Sequence, residues 1–226
     1  MKPIKKNKSQ SVQVVDPMID ESADSSESLK SLLGKEETIS NLSFDRSLEE
    51  SIRVAYKTIK ECVFNNLTLS DSQLKSTQFS DVIFRQCNLA NVSFSGSSFY
   101  RVQFIDCKLM GSGFSETTLN HLFVSGCNAQ YLNLAMSKMN QVQFSNCDLQ
   151  FSSLNDCRLQ NFALEHCTLV GADFSHTRLK GVDLPSSQIS GLQLNLSDLQ
   201  GAIVSSIQAM ELLPLLGVII EDLNDK

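Results

Sequence analysis

The sequence predicts a solenoid, a rod wound from five-residue sides with four sides to a turn, and three observations predict it. First, every fifth residue from Phe64 to Leu199 is apolar, 28 positions without a break, and 24 of them are Leu or Phe. In a chain that is 42% apolar, such a run has odds on the order of 10⁻¹¹, so the period belongs to the fold. Period five fits neither the 3.6 of a helix nor the two of a strand. Second, the residue two positions earlier is small or branched, as in Cys87, Val92, Ser97, Val102, Cys107, Ser112 and Thr117. Third, like residues return every 20. Phe64, Phe84, Phe104, Val124 and Phe144 make one series, and Cys87, Cys107, Cys127, Cys147 and Cys167 another. A five-residue step does not require that second recurrence; a four-sided coil does.

Taken in chain order, residues 1–38 are rich in Ser, Lys, Asp and Glu and are expected to form a disordered tail. Lys2, Lys5, Lys6 and Lys8 resemble the start of a signal peptide, but Ser, Gln and Asp follow where an apolar stretch is needed. A cytoplasmic chain is expected. Residues 39–61 read as an N-terminal cap or an irregular first coil. Ile39 and Phe44 keep the five-residue phase, Glu49 breaks it, and Val54 and Ile59 restore it; Ser47 to Glu50 is spaced as a capping box that opens a short helix. Residues 62–204 are the repeat array. Residues 205–226 hold Ile207, Met210, Leu212, Leu213, Leu215, Leu216, Val218, Ile219 and Ile220, too apolar a set to stand in water, so part of it is expected to cap the last coil. The apolar run from Leu212 to Ile220 contains Pro214 and Gly217 and falls far short of the roughly 20 residues that span a bilayer. No membrane is expected.

Cys167–Gly171 (CTLVG) and Ala172–His176 (ADFSH) match the A(D/N)LXX signature, and residues 62–201 resemble the pentapeptide-repeat family. That resemblance implies an all-β fold, a right-handed quadrilateral β-helix of about seven coils with short helical caps. It implies that the Leu or Phe and the residue two before it point inward, and that the other three face solvent. Seven coils at the ~4.8 Å spacing of neighbouring strands make a rod of roughly 34 Å. The segment from Gln208 to Ile220 resembles the C-terminal helix and strand of the Qnr and MfpA group. That likeness implies a symmetric homodimer through residues 205–226, and binding to DNA gyrase or topoisomerase IV by a rod that mimics duplex DNA and protects the enzyme from quinolones.

Charge speaks against a strong polyanion. The net charge is −6, but residues 60–204 contribute only −2, from nine basic and eleven acidic side chains, and the acids are spread over all four faces. Direct nucleic-acid binding is not expected. The seven cysteines, Cys62, Cys87, Cys107, Cys127, Cys147, Cys157 and Cys167, all fall at the small inward position, where a thiol is a good small hydrophobe. None is spaced as a metal-binding pair, and no His shares their column. His121, His166 and His176 sit at corners on three different faces. No cofactor, metal or catalytic site is expected, and the chain reads as a non-enzyme.

Two surface features rise above background. Tyr131 and Phe151 lie 20 apart at one outward corner, with Met110 and Val170 one position before that corner, while Met136 and Leu196 share the adjoining corner column. Exposed apolar clusters of this kind mark contact sites. Lys138, Arg158 and Arg178 stack in one outward column with Lys180 beside them, a basic stripe that water and salt screen. The expected function is binding without catalysis. The partner implied by the resemblance is a topoisomerase; the alternative is a general protein-interaction scaffold acting through the apolar corner or the tail.

Overall fold

In the computed structural model, which describes residues 12–19, 23–49 and 51–219, the array winds as a right-handed quadrilateral β-helix of about seven coils with short helices at its ends. The strands are β1 (Ala23–Asp24), β2 (Thr38–Ser40), β3 (Leu42–Asp45), β4 (Arg53–Ala55), β5 (Thr58–Asn65), β6 (Gln73–Lys75), β7 (Gln78–Arg85), β8 (Ser98–Ile105), β9 (Thr118–Ser125), β10 (Lys138–Ser145) and β11 (Arg158–Glu165). Helix α1 (Leu29–Lys35) precedes the coils and α2 (Ser206–Leu212) follows them. From β5 to β11 each long strand pairs in parallel with the residues 20 further on, so Phe64, Phe84, Phe104, Val124 and Phe144 stand one above another.

The coil is not equally strand-like on its four sides. Each long strand covers two sides and turns a corner at its fourth residue, where Glu61, Asp81, Arg101, His121, Gln141 and Asn161 have φ of 51–56° within the left-handed region. The other two sides are tighter and carry single bridges, such as Asn88 with Lys108 and Ser93 with Gly113. An i to i+3 bond closes each of them: Val92 N–H donates to Leu89 O (3.2 Å) and Ser97 N–H to Phe94 O (3.1 Å). With the third residue left-handed, these are type II turns. Left-handed backbone recurs at nearly every corner, which is why Asn, Asp, His and Gly are frequent there and branched residues are absent.

Inside, the columns interlock. Phe64 stacks on Phe84 (4.8 Å), Phe84 on Phe104 (4.9 Å) and Phe79 on Phe99 (4.7 Å), each pair contributing about 0.5–1.5 kcal/mol beyond burial. Val124 interrupts the first stack, and an apolar void of ≈ 10 Å³ lies between Phe104 and Phe144, with no polar side chain in its lining to hold a water. Hydroxyls at the small inward position satisfy buried backbone. Ser137 Oγ donates to Phe114 O (2.8 Å) and accepts from Thr117 N–H (3.1 Å). The cysteines do the same more weakly, Cys87 Sγ donating to Phe64 O (3.3 Å) and Cys107 Sγ to Phe84 O (3.5 Å). All seven thiols are buried. Burial pushes Cys62 and Cys157 up to about 11.

The N-terminal end differs from the sequence expectation in three places. Of the segment 1–38, expected as a disordered tail, residues 1–11 and 20–22 lie outside the described residues, while 12–19 and 23–38 are described and carry structure. Within them α1 packs Leu29 and Leu33 into the core, and β1 pairs with β3. The capping-box helix expected at Ser47 is absent: Leu48 bridges to Thr68 as part of a coil, and Glu50 lies outside the described residues. The five-residue phase continues through Glu49, whose side chain is inside and only 4% exposed. Its carboxylate accepts from Leu29 N–H (2.9 Å) and Lys30 N–H (3.2 Å). Glu49 therefore caps α1 across the end of the rod, a favourable site for an anion because helix N-termini leave amides unpaired. With β2 and β3 paired to β5, and β4 to β6, residues 38–57 form a coil in register with the rest.

The C-terminal end is closed by a polar plug. Ser205 and Gln208 form a capping box that starts α2. Gln208 is buried, and its Nε2 donates to Leu184 O (2.8 Å) and Ser187 O (2.7 Å), just past the Asp183–Ile203 bridge at which the coil-to-coil pairing ends. No helix among the described residues is long and apolar enough to cross a membrane.

Candidate contact surfaces

The apolar corner is a stacked pair. Tyr131 and Phe151, 57% and 50% exposed, lie ring on ring at 5.4 Å with planes 17° apart. Both are left-handed corner residues, and their backbones are bonded coil to coil, Tyr131 N–H to Gln150 O and Phe151 N–H to Val170 O. The pair has room because Gly171 occupies the same corner in the next coil. A Cβ on Gly171 would stand 2.7 Å from the Phe151 ring, so the ring rests against that glycine. Met110 and Val170 are half-buried beside the pair.

Met136 and Leu196, assigned to one column, are not brought together. Asp156 and His176 occupy the corner between them, with His176 Nδ1 3.5 Å from Asp156 Oδ1. Leu196 instead lines an apolar cleft of ≈ 190 Å³ at the C-terminal end, with Leu199, Val204, Leu212, Leu213 and Leu216. Around it Ile207, Met210, Leu216, Val218 and Ile219 are exposed, while Leu212 and Leu215 pack partly against the core. Ile220 lies outside the described residues.

The basic column is in register, Lys138 opposite Arg158, and Lys138, Arg158, Arg178 and Lys180 are all exposed. Among the described residues no carboxylate lies within ion-pair distance of any of them. No group of three or more His, Cys, Asp or Glu side chains among those residues is placed to hold a metal ion.

One surface was missed in the sequence. Residues 12–19 lie along the corner formed by Asp81, Arg101, His121 and Gln141, held by Gln13, Val15, Asp16 and Met18. The available signal was the spacing of Val12, Val14, Pro17 and Ile19, half-buried here, in a tail otherwise dominated by polar residues. On that corner Arg101 grips Asp81 through Nε and Nη2, both at 2.6 Å. Burial raises the Asp81 carboxyl, but the Arg101 and Met18 hydrogen bonds outweigh it and hold the group below its ordinary value.

A parallel coil of four five-residue sides, with its apolar residues packed inside and its corners turned to solvent, defines a β-helical repeat protein. Two family models match, "Pentapeptide repeat region" over residues 97–174 and "Pentapeptide repeats (8 copies)" over residues 77–115 and 163–201. Together they run from 77 to 201, more than half of the chain, and the chain belongs to the pentapeptide-repeat family. Among solved structures, a trypsin-treated form of QnrB1, a plasmid-mediated fluoroquinolone resistance protein, aligns over 77% of this chain and 100% of its own at 16% identity and a TM-score of 0.41. HetL, a pentapeptide repeat protein involved in heterocyst differentiation regulation from the cyanobacterium Nostoc, aligns over 70% and 85% at 16% identity and a TM-score of 0.30. Rfr23 from the cyanobacterium Cyanothece aligns over 72% and 91% at 15% identity and a TM-score of 0.29. No curated protein sequence matches.

Proposed function

We propose that the chain is a non-catalytic binding rod that forms a homodimer through residues 205–226 and docks a protein partner on its corners. The observation that carries the binding reading is the exposed Tyr131–Phe151 stack. Two large rings held half in water by a rigid scaffold present apolar area already ordered for contact, with little side-chain entropy left to lose. The dimer reading is supported by the apolar cleft and the exposed Ile207, Met210, Val218 and Ile219 around α2, an apolar end that a second copy would cover.

The partner class proposed for the first test is DNA gyrase or topoisomerase IV, from the resemblance of the C-terminal segment to the Qnr and MfpA group. The uncompensated column of Lys138, Arg158 and Arg178 weighs against contact by acidic mimicry, so the apolar corner is the surface assigned to the partner. Supercoiling by gyrase, with and without ciprofloxacin, tests both levels. Inhibition or rescue by the wild-type protein that is lost in a Tyr131→Ser, Phe151→Ser double variant supports the partner and the surface together. No effect and no binding at micromolar protein removes topoisomerases as the partner. The general interaction scaffold, acting through the same corner, is the second reading.

A further inference from the structure

Residues 12–19 are bound to the rod mainly by main-chain amides that donate to side chains of one corner. Gln13 N–H donates to Gln141 Oε1 (2.9 Å), Val15 N–H to His121 Nδ1 (3.2 Å) and Met18 N–H to Asp81 Oδ1 (2.8 Å). In return Gln103 Nε2 donates to Asp16 Oδ1 (2.8 Å). The corner partners belong to successive coils, so the segment crosses the strands instead of extending a sheet. Going from Gln141 back to Asp81 covers three spacings of ~4.8 Å, which the five steps from Gln13 to Met18 reach only when nearly extended.

Two features mark this corner as a built site. It keeps a side chain at every coil from Glu61 to Asn161, all of them left-handed, whereas the other three corners give way to Gly96, Gly111 and Gly126 within the same span. Its deepest acceptor is also fixed without help from the segment: Asp81 is buried, clamped by Arg101, and Arg101 in turn lies 4.3 Å over the Tyr100 ring. The occupant, by contrast, is lightly held. None of its side chains is fully buried, while Leu29 and Leu33 of α1 are. Helix α1 is a permanent cap, and residues 12–19 sit as a ligand does.

We propose that the corner from Asp81 to Gln141 is a binding site for an extended peptide segment of a partner protein, occupied in cis by residues 12–19 as a displaceable stand-in. The chemistry of the occupant defines the ligand: an extended strand with apolar residues placed as Val12, Val14, Pro17 and Ile19 are, amides free to donate as those of Gln13, Val15 and Met18 do, and an Asp within reach of Gln103. This site is separate from the Tyr131–Phe151 corner and does not depend on the partner assigned there. A tethered segment acts at an effective concentration of about a millimolar, so a trans ligand displaces it only when it binds well or is itself tethered nearby.

The test uses a fluorescent peptide of residues 11–21 and anisotropy with three full-length proteins: the wild type, a variant in which residues 12–19 are a Gly/Ser sequence of equal length, and that variant with His121→Ala and Gln141→Ala added. Binding to the Gly/Ser variant, at least tenfold weaker to the wild type and at least tenfold weaker to the corner variant, is expected. A folded Gly/Ser variant that does not bind, equal binding by wild type and Gly/Ser variant, or indifference to the corner substitutions overturns the proposal. Amide exchange on the unaltered chain gives a second reading. Millimolar peptide should deprotect Gln13, Val15 and Met18, a scrambled peptide should not, and unchanged exchange with the true sequence overturns it as well.

Discussion

At the scale of the residue, a position's place in the five-residue step decides what it tolerates. Phe104 is fully buried between Phe84 and the Val124 void, so Phe104→Asp places an unpaired charge in the core and costs more than about 4 kcal/mol. Loss of the circular-dichroism signal checks it, and a well-folded variant would refute the inward phase. Glu116 is an exposed left-handed corner residue. Glu116→Lys is expected within about 0.5 kcal/mol of wild type, whereas Glu116→Val forces a branched residue into that backbone and costs roughly 1–2 kcal/mol; chemical denaturation separates the two. Val124→Ile adds one buried methylene to the void and is expected to stabilise by up to about 0.8 kcal/mol, an equal loss meaning that the coil does not yield to it. The cysteines follow from the same logic. Buried and with Cys62 and Cys157 raised to about 11, the native thiols should resist aromatic disulfide reagents at pH 8, and all seven should react on denaturation.

At the scale of the element, the core was legible and the ends were not. Side-chain direction repeats with the step, so Phe64, Leu69, Leu74 and Phe79 announce their own burial. Helix α1 buries only Leu29 and Leu33 in a polar stretch, too few apolar positions to declare a helix before its partner surface is known. Glu49 read as a break because a carboxylate at a core position has no local explanation; its partners are amides 19 and 20 residues away. Residues 12–19 offered only the spacing of Val12, Val14, Pro17 and Ile19, because their partners are corner side chains rather than a sheet. The apolar corner was legible as a recurrence, and the 60 residues between Met136 and Leu196 already set them three coils apart, with Asp156 and His176 between them. Glu49→Ala should remove a charge-assisted cap worth about 1.5–3 kcal/mol and raise amide exchange at Leu29 and Lys30 well above that of β5. The contact of Met18 with Asp81 also has a pH sense. A carboxyl held below its ordinary value contributes stability above the unfolded pKa, near 3.9, and loses it as pH falls through the lower folded value. Acid that protonates Asp81 should therefore weaken both the Arg101 clamp and the Met18 contact, read as faster exchange at Met18.

At the scale of the whole molecule, a rod that repeats every 20 residues is a sum of coils and their interfaces. Removing residues 158–177 joins Cys157 to Arg178 in register and brings Gly191 under Phe151 in place of Gly171, so the shortened rod should fold with a lowered melting temperature. Removing residues 158–160 alone shifts every later Leu out of phase and should unfold the C-terminal coils. Loss of residues 207–226 takes away Gln208, uncovers the carbonyls of Leu184 and Ser187, and should both destabilise the last coil and abolish the proposed dimer. Light scattering tests the second outcome, and an unchanged mass would count against the dimer.

The coil-to-coil bonds run along the rod axis, and this sets how the molecule bears load. Tension applied at the two chain ends falls on one coil interface at a time, as in peeling, and not on many bonds in shear. The segment from Gln13 to Met18 is stitched across the coils between Asp81 and Gln141, so it acts as a longitudinal brace over the three coil interfaces in the middle of the rod. A single molecule pulled from its ends should give way in steps of about one coil, beginning at the unbraced C-terminal coils. Force traces lacking that polarity would show that the brace carries no load.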